Sequence, residues 1–318
     1  AKANAGYIFE GWKNNQTGEI VSNDSQYKPE AKSGSYTAVF KAKANINELL
    51  KLIPGNVIAT YDGKAHVAGI ATVTGDDVAS IKIEYKKADG SWTTDPSEIT
   101  ATNVSDSKTV NIRVTSEKYI GELTGIEELT ITKRKVTLAS ETASKAYDGT
   151  ELRKPDVTVG GDGFVDDEVT DLQATGTKTD VGSVTNTIEY TGVKGKFNAD
   201  NYEIKKQEGT LTITKSRRLG LTVEDAEIKY NGKPLSAAKV EANVTEGTII
   251  SYSIDDGKTW KAEAPSITNA GTLKVTVKAE NTNYETATAQ YTLTITKRKV
   301  TLASETASKA YDGTELRK

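Results

Sequence analysis

Two stretches of this chain are identical, residue for residue, and that identity limits the fold more than any other feature. Residues 129–154 read LTITKRKVTLASETASKAYDGTELRK, and residues 293–318 repeat the run 164 positions later. Between them, 211–215 carries LTITK once more, so the motif begins at 129, 211 and 293, a constant step of 82 residues. A step of that size is one small domain's length of chain, and copies that near to identity are expected to fold as copies. Other landmarks keep nearly the same step. A Tyr-Asp/Asn-Gly turn recurs at Tyr61, Tyr147, Tyr230 and Tyr311. A tyrosine ahead of the closing strand recurs as Tyr119, Tyr202 and Tyr284, the last two following Asn201 and Asn283.

The units alternate between two kinds. One kind has Tyr85, Asp89-Gly90 and Trp92 in register with Tyr252, Asp256-Gly257 and Trp260; the unit between lacks Trp and has Gly160-Gly161-Asp162-Gly163-Phe164. The division is therefore 45–133 (type A), 134–215 (type B), 216–297 (type A) and 298–318 (the start of a further type B), with a different module over 1–44. Residues 109–115, 248–254, 272–279 and 291–297 alternate apolar and polar side chains, the period of half-buried strands. They are rich in Thr, Val, Ile and Tyr, which suit a pleated surface. Asn-Gly, Asp-Gly and Gly-Gly pairs between them signal turns. The best helix candidate is 47–53 (NELLKLI), halted by Pro54-Gly55. Several short strands per repeat predict an all-β chain: tandem small antiparallel β-sandwiches of immunoglobulin-like form in a linear array. A β-grasp repeat is the competitor, but it needs a helix that type B does not offer.

Composition narrows the chemistry. Hydrophobic residues are 36% and charged residues 27%, enough apolar chain for small cores. A net charge of -3 gives no basic footprint for nucleic acid and no attraction to anionic membranes. No cysteine is present, so disulfides and thiolate metal sites are excluded, and His66 is the sole histidine. No run is apolar and long enough to span a membrane, and neither a signal peptide nor a wall anchor is evident; if the protein is exported, those signals are expected outside this segment.

The run KRKVTLASETASKAYDGTEL, then VTVGGDGFVDDEV, TDVGSVTNTIEY and NYEIKKQEGTLTIT, resembles the MBG and YDG repeat domains of bacterial surface adhesins over all of type B. Type A looks like a relative through YDGK/YNGK, ITNAGTLKVTVKA and LTITK. Residues 1–44, with GYIFEGW and then SYTAVF, resemble the second half of an InlB-type (Listeria–Bacteroides) β-grasp repeat. The resemblance implies an extracellular, cell-surface, multi-copy protein tied to adhesion or mucus binding, and it carries over no binding residue. Both ends then fall inside modules, as in a window cut from a longer polymer, and a 21-residue start of a module cannot bury a core alone.

Each candidate for chemistry has a plainer rival. Ser253-Ile254-Asp255-Asp256-Gly257-Lys258-Thr259-Trp260 fits the Asp-box of sialidase-type propellers, yet a single good box reads best as a hairpin turn. Trp92, Trp260 and Tyr252 are the candidate glycan contacts, with Trp12 as a further flat face; core or hairpin packing is the rival. The acidic loop Asp162, Asp166, Asp167, Glu168 and Asp171 offers oxygen ligands for Ca²⁺ without EF-hand or RTX spacing, so a solvated loop is favoured. Basic runs at 133–135, 215–218 and 297–299 fall where one unit passes to the next, and are expected to pair with carboxylates there, to remain solvated, or to attract acidic glycans. A Lys–Asn/Asp isopeptide staple would suit a chain without cysteine, but the sequence pairs no residues for it. No nucleophile triad, catalytic carboxylate pair, metal cluster or phosphate loop is evident. The expected function is the stalk or adhesive region of a bacterial cell-surface adhesin, contacting neighbouring repeats and a host or matrix glycoprotein or mucin. Direct multivalent glycan binding is the first alternative. An accessory region of a surface glycoside hydrolase is the second, resting on the Asp-box alone.

Overall fold

The computed structural model describes residues 1–30, 34–236 and 239–317. The chain is nearly all-β; the helical pieces are one four-residue turn and short 3-10 segments. Strands form where the sequence alternates. Lys108–Ser116, Gly271–Glu280 and Ala287–Thr296 bury every second residue, which places Val110, Ile112 and Val114 inside one core and Val275, Val277, Tyr291 and Leu293 inside another. The chain divides into two compact units: 1–139 with 157–173 and 189–207, and 140–156 with 174–188 and 208–318. The division runs through the 134–215 repeat. Lys318, at the end of the expected 298–318 module, and residues 31–33 of the N-terminal module lie outside the described residues.

In the first unit the N-terminal module is a three-stranded antiparallel sheet, with Tyr7–Asn14 between Ile20–Ser22 and Tyr36–Ala42. Gly11 sits at a register shift of the central strand, where a Cβ would meet Ser22 O at 2.9 Å, so a side chain cannot enter. Phe9 packs edge-on to Trp12 and Phe40. The 45–133 module follows with a five-stranded sheet ordered Val57–Thr60, Leu123–Thr132, Lys108–Ser116, Ile81–Lys86 and Trp92–Thr93. The helix expected over 47–53 covers only Ile46–Leu49; Leu50–Ile53 is a strand paired with Thr72–Gly75. Its apolar residues alternate, and Leu50 is buried while Leu52 faces Val73 across the ladder, so pairing overrides the helical reading. Arg134–Ser140, from the 134–215 repeat, pairs with Val157–Gly161 and Tyr202–Gln207.

In the second unit Gly209–Thr214 lies between Ala143–Ala146 and Gly182–Asn186. The 216–297 module has a four-stranded sheet ordered Ala226–Lys229, Ala287–Thr296, Gly271–Glu280 and Ile249–Ser253. One pattern recurs in all three repeats: an early strand runs parallel to the closing LTIT strand. The pairs are Val57–Thr60 with Leu123–Thr132, Ala143–Ala146 with Gly209–Thr214, and Ala226–Lys229 with Ala287–Thr296. The other ladders of these sheets are antiparallel, apart from Arg134–Ser140 with Tyr202–Gln207, so the antiparallel form expected from sequence carries a parallel closure in each repeat.

Residues 298–317 form no strand. Val300 and Leu302 are 74% and 91% exposed, whereas Val136 and Leu138 at the matching positions are 1% and 0% exposed.

Candidate functional site

The motifs that recur along the sequence are brought together in the structure. Within the first unit, the turn after Val57–Thr60 presents Tyr61, whose N–H donates to Thr132 O at 2.9 Å. Its ring meets Tyr202 edge-on, with centroids 5.5 Å apart. Glu168 is buried between them and accepts from both hydroxyls, from Tyr61 at 2.5 Å and from Tyr202 at 2.7 Å. A charge this far from water needs such donors. Burial first, and then the hydrogen bond to Glu168, pushes the Tyr61 phenol up to about 12 and raises that of Tyr202 as well. Phe164, Tyr190 and Phe197 complete an aromatic cluster around Tyr202. Asn201, fully buried, accepts from Val104 N at 2.9 Å and donates to Asn103 Oδ1 at 2.8 Å. Gly63 holds a φ of +78°, and a Cβ there would meet Val165 Cγ1 at 3.0 Å, so the turn demands glycine on both counts.

The second unit repeats the arrangement one module later. Tyr147 N donates to Thr214 O at 2.8 Å, and the ring meets Tyr284 edge-on at 5.4 Å. Asn283 accepts from Val181 N at 3.0 Å and donates to Asp180 Oδ1 at 2.9 Å. Each clamp thus joins a Tyr-Asp-Gly turn and a Thr-Asn/Asp-Val segment of one repeat to an Asn-Tyr pair of the next.

The acidic loop is not gathered for a cation. Glu168 lies between the tyrosines, Asp162 accepts from Lys135 N at 3.0 Å, Asp167 lies 3.8 Å from Lys196, and Asp171 bonds Thr170. Among the described residues no group of three or more His, Asp or Glu side chains converges to hold a metal ion. Arg134, from the first basic run, does not pair with a carboxylate. It donates to the carbonyls of Gly163, Asp162 and Tyr61, capping the same clamp. Arg217 pairs with Glu285 on the surface. The fully buried Asn186 and Asn201 bond backbone groups and Asn103, and among the described residues no lysine ammonium bonds either one.

The Asp-box is a turn. Asp255 accepts from the N–H groups of Lys258 and Thr259 and from the hydroxyls of Thr259 and Ser253, which hold its carboxyl well below the usual carboxylate range. Asp256 and Gly257 both have positive φ, as a tight hairpin requires. Trp260 Nε1 donates to Gly257 O at 3.0 Å. Trp92 and Trp260 are each half-buried, and in both repeats a cation from another strand of the sheet covers one ring face: Arg113 at 4.3 Å and Lys278 at 4.5 Å. Tyr252 packs at the edge of the core, and burial raises its phenol pKa. Open grooves of about 570 Å³ and about 310 Å³ lie beside the two hairpins, lined by Lys86, Lys87 and Lys108 in one repeat and by Tyr252, Thr259 and Lys261 in the other.

Another buried carboxyl, Glu127, receives only Gly55 N at 3.1 Å, and burial pushes its pKa up. Sequence reasoning missed Asn103, Asp180 and the role of Glu168. The signal present was the Asn preceding two of the three periodic tyrosines, together with a Thr-Asn/Asp-Val/Ala triplet once per repeat.

No protein family and no curated protein matches the chain. Among solved structures it is similar to Sidekick-1 immunoglobulin domains 1-5, at 14% identity over 85% of this chain and 65% of that one, with a TM-score of 0.30. It is also similar to the N-terminal eight Ig domains of Down Syndrome Cell Adhesion Molecule, at 12% identity over 91% of this chain and 46% of that one, with a TM-score of 0.26. The chain thus spans under two thirds of either, and at these scores the likenesses carry no functional argument. The fold class, tandem β-repeats, rests on the strands and sheets themselves. Among the described residues no helix is long and apolar enough to cross a membrane.

Proposed function

We propose that this chain is the repetitive stalk or adhesive region of a bacterial cell-surface adhesin of the MBG/YDG kind, preceded by part of an InlB-type repeat. The observation that carries the reading is the clamp: the same Tyr–Tyr contact and bridging Asn occur at two successive repeat boundaries, one in each unit of the fold. Alternating modules fixed to one another by a repeated contact are what a projecting array requires. The periodic motifs are consumed in these contacts and in turns, which favours spacing over catalysis as their use.

Direct binding of mucin or other glycans is the second reading, and the groove beside the Trp hairpin in both type A repeats supports it. Tyr252 would then be a contact on the groove wall, and Trp92 and Trp260 contacts on the adjoining hairpins, each with one indole face covered and unavailable to sugar. The test is binding of the full chain to immobilised mucin and to a glycan array, alongside Trp92→Ala and Trp260→Ala. The stalk reading expects no saturable binding and no change in the variants. Saturable binding weakened about tenfold or more by the variants would make the repeats themselves the adhesive surface.

A further inference from the structure

Each clamp has two halves. The socket is the tyrosine of a Tyr-Asp-Gly turn together with a Thr-Asn/Asp-Val segment. The plug is an Asn-Tyr pair. The 45–133 repeat offers a socket in Tyr61, Asn103 and Val104, filled by Asn201 and Tyr202. The 134–215 repeat offers one in Tyr147, Asp180 and Val181, filled by Asn283 and Tyr284.

The 216–297 repeat builds the same socket. Tyr230 N donates to Thr296 O at 2.9 Å, the bond that positions Tyr61 and Tyr147. Thr268-Asn269-Ala270 stands in the place of Thr102-Asn103-Val104. Here the socket is open: Tyr230 is 41% exposed where Tyr61 is 3%, and Asn269 and Ala270 are exposed. We infer that this face binds the Asn-Tyr plug of a type B module, one built like residues 134–215.

The choice of occupant follows from the tyrosine hydroxyl. In the type A socket, Tyr61 is buried, and a buried hydroxyl needs an acceptor, which the type B plug brings as Glu168. In the type B socket, Tyr147 stays half-buried, and the type A plug brings no carboxylate to it. A type A socket is therefore completed by a plug that carries a glutamate behind its tyrosine. The plug at Asn201 and Tyr202 is already engaged by Tyr61, so a second copy of the chain has no free type B plug to offer. This inference stands whether the array binds a ligand or only spaces one.

The experiment appends a second copy of residues 155–215 after Lys318. That completes a type B module, because 298–318 repeats 134–154. Tyrosines are nitrated with tetranitromethane in the 318-residue chain and in the extended chain, and each site is read by peptide mass spectrometry. In the shorter chain Tyr230 should react readily, as the fully exposed Tyr311 does, while Tyr61 is protected. In the extended chain Tyr230 should lose reactivity about tenfold or more, because reaction then waits on local opening. Asn201→Ala with Tyr202→Ala, made in the appended copy alone, should restore it. Unchanged reactivity of Tyr230 beside a folded appended module overturns the inference, and so does protection that survives the double substitution. Failure of the appended sequence to fold, judged by backbone NMR, also overturns it, since the same sequence folds after Lys133.

Discussion

Residues 134–154 and 298–318 have the same sequence, yet 134–153 and 298–317 have different structures. In the first copy, Arg134–Ser140 is a strand held by Tyr202–Gln207, and Ala143–Ala146 is a strand held by Gly209–Thr214. In the second copy, the described residues form no strand, and Val300 and Leu302 face solvent. The turn nonetheless survives in both. Asp148 accepts from Thr150 N, Thr150 Oγ1 and Lys145 Nζ; Asp312 accepts from Thr314 N, Thr314 Oγ1 and Lys309 Nζ. Gly149 and Gly313 hold similar positive φ values, 79° and 73°. The Asx turn needs only its own neighbours, whereas a strand needs a ladder that a distant segment supplies. One sequence thus separates what is encoded locally from what is encoded by partners.

The sharpest way to break this comparison is to cut the same side chain in both copies. Leu138→Ala should cost about 2–5 kcal/mol in denaturant unfolding, the range for a leucine removed from a packed core. Leu302→Ala should change stability by no more than about 0.5 kcal/mol, as for an exposed site. Equal losses would mean that the second copy is packed as the first is. Next in size is the clamp tyrosine with and without its plug. Tyr61→Phe removes a donor from the buried Glu168 and should cost about 1–3 kcal/mol, whereas Tyr230→Phe should be close to neutral. A double-mutant cycle of Tyr61→Phe with Glu168→Gln should show coupling between the two, and none between Tyr230→Phe and Glu168→Gln.

Smaller still is the response to acid of the two turns. Hydrogen bonds from lysine and threonine hold both Asp148 and Asp312 below the ordinary aspartate value. A depressed carboxyl favours the folded turn above about pH 4, and that contribution is lost as pH falls through the lowered pKa. Amide shifts of Thr150 and Thr314, followed by NMR to low pH, should therefore both move below the ordinary aspartate range. Only the first should carry a change in global unfolding with it.

Much of the fold was legible for the same reason that the turns are. The step of 82 residues, the alternation in 272–279 and 109–115, and the Asp-Gly turns are each readable within a short window, and each appears where expected. What failed depended on distant partners. The run at 47–53 was too short for its period to separate helix from strand, and Thr72–Gly75 decided for a strand over Leu50–Ile53. The parallel pairing of Val57–Thr60 with Leu123–Thr132 spans most of a repeat and leaves no local mark. Glu168 sits among aspartates in a loop that reads as solvated, and the two tyrosines that enclose it lie 107 and 34 positions away. The Trp hairpins were located correctly, but the cations over their faces come from another strand.

The parallel closure bears on how such a chain carries tension. In every repeat the early strand and the closing strand run the same way, so the incoming chain leaves the pair at one end and the outgoing chain at the other. A pull on both ends therefore slides the two strands along each other, and the hydrogen bonds between them lie across the line of force. They must yield together, not one by one as in an antiparallel pair opened like a zip. Each repeat is thus closed by a shear joint, and the force needed to part it grows with the number of bonds in that one ladder.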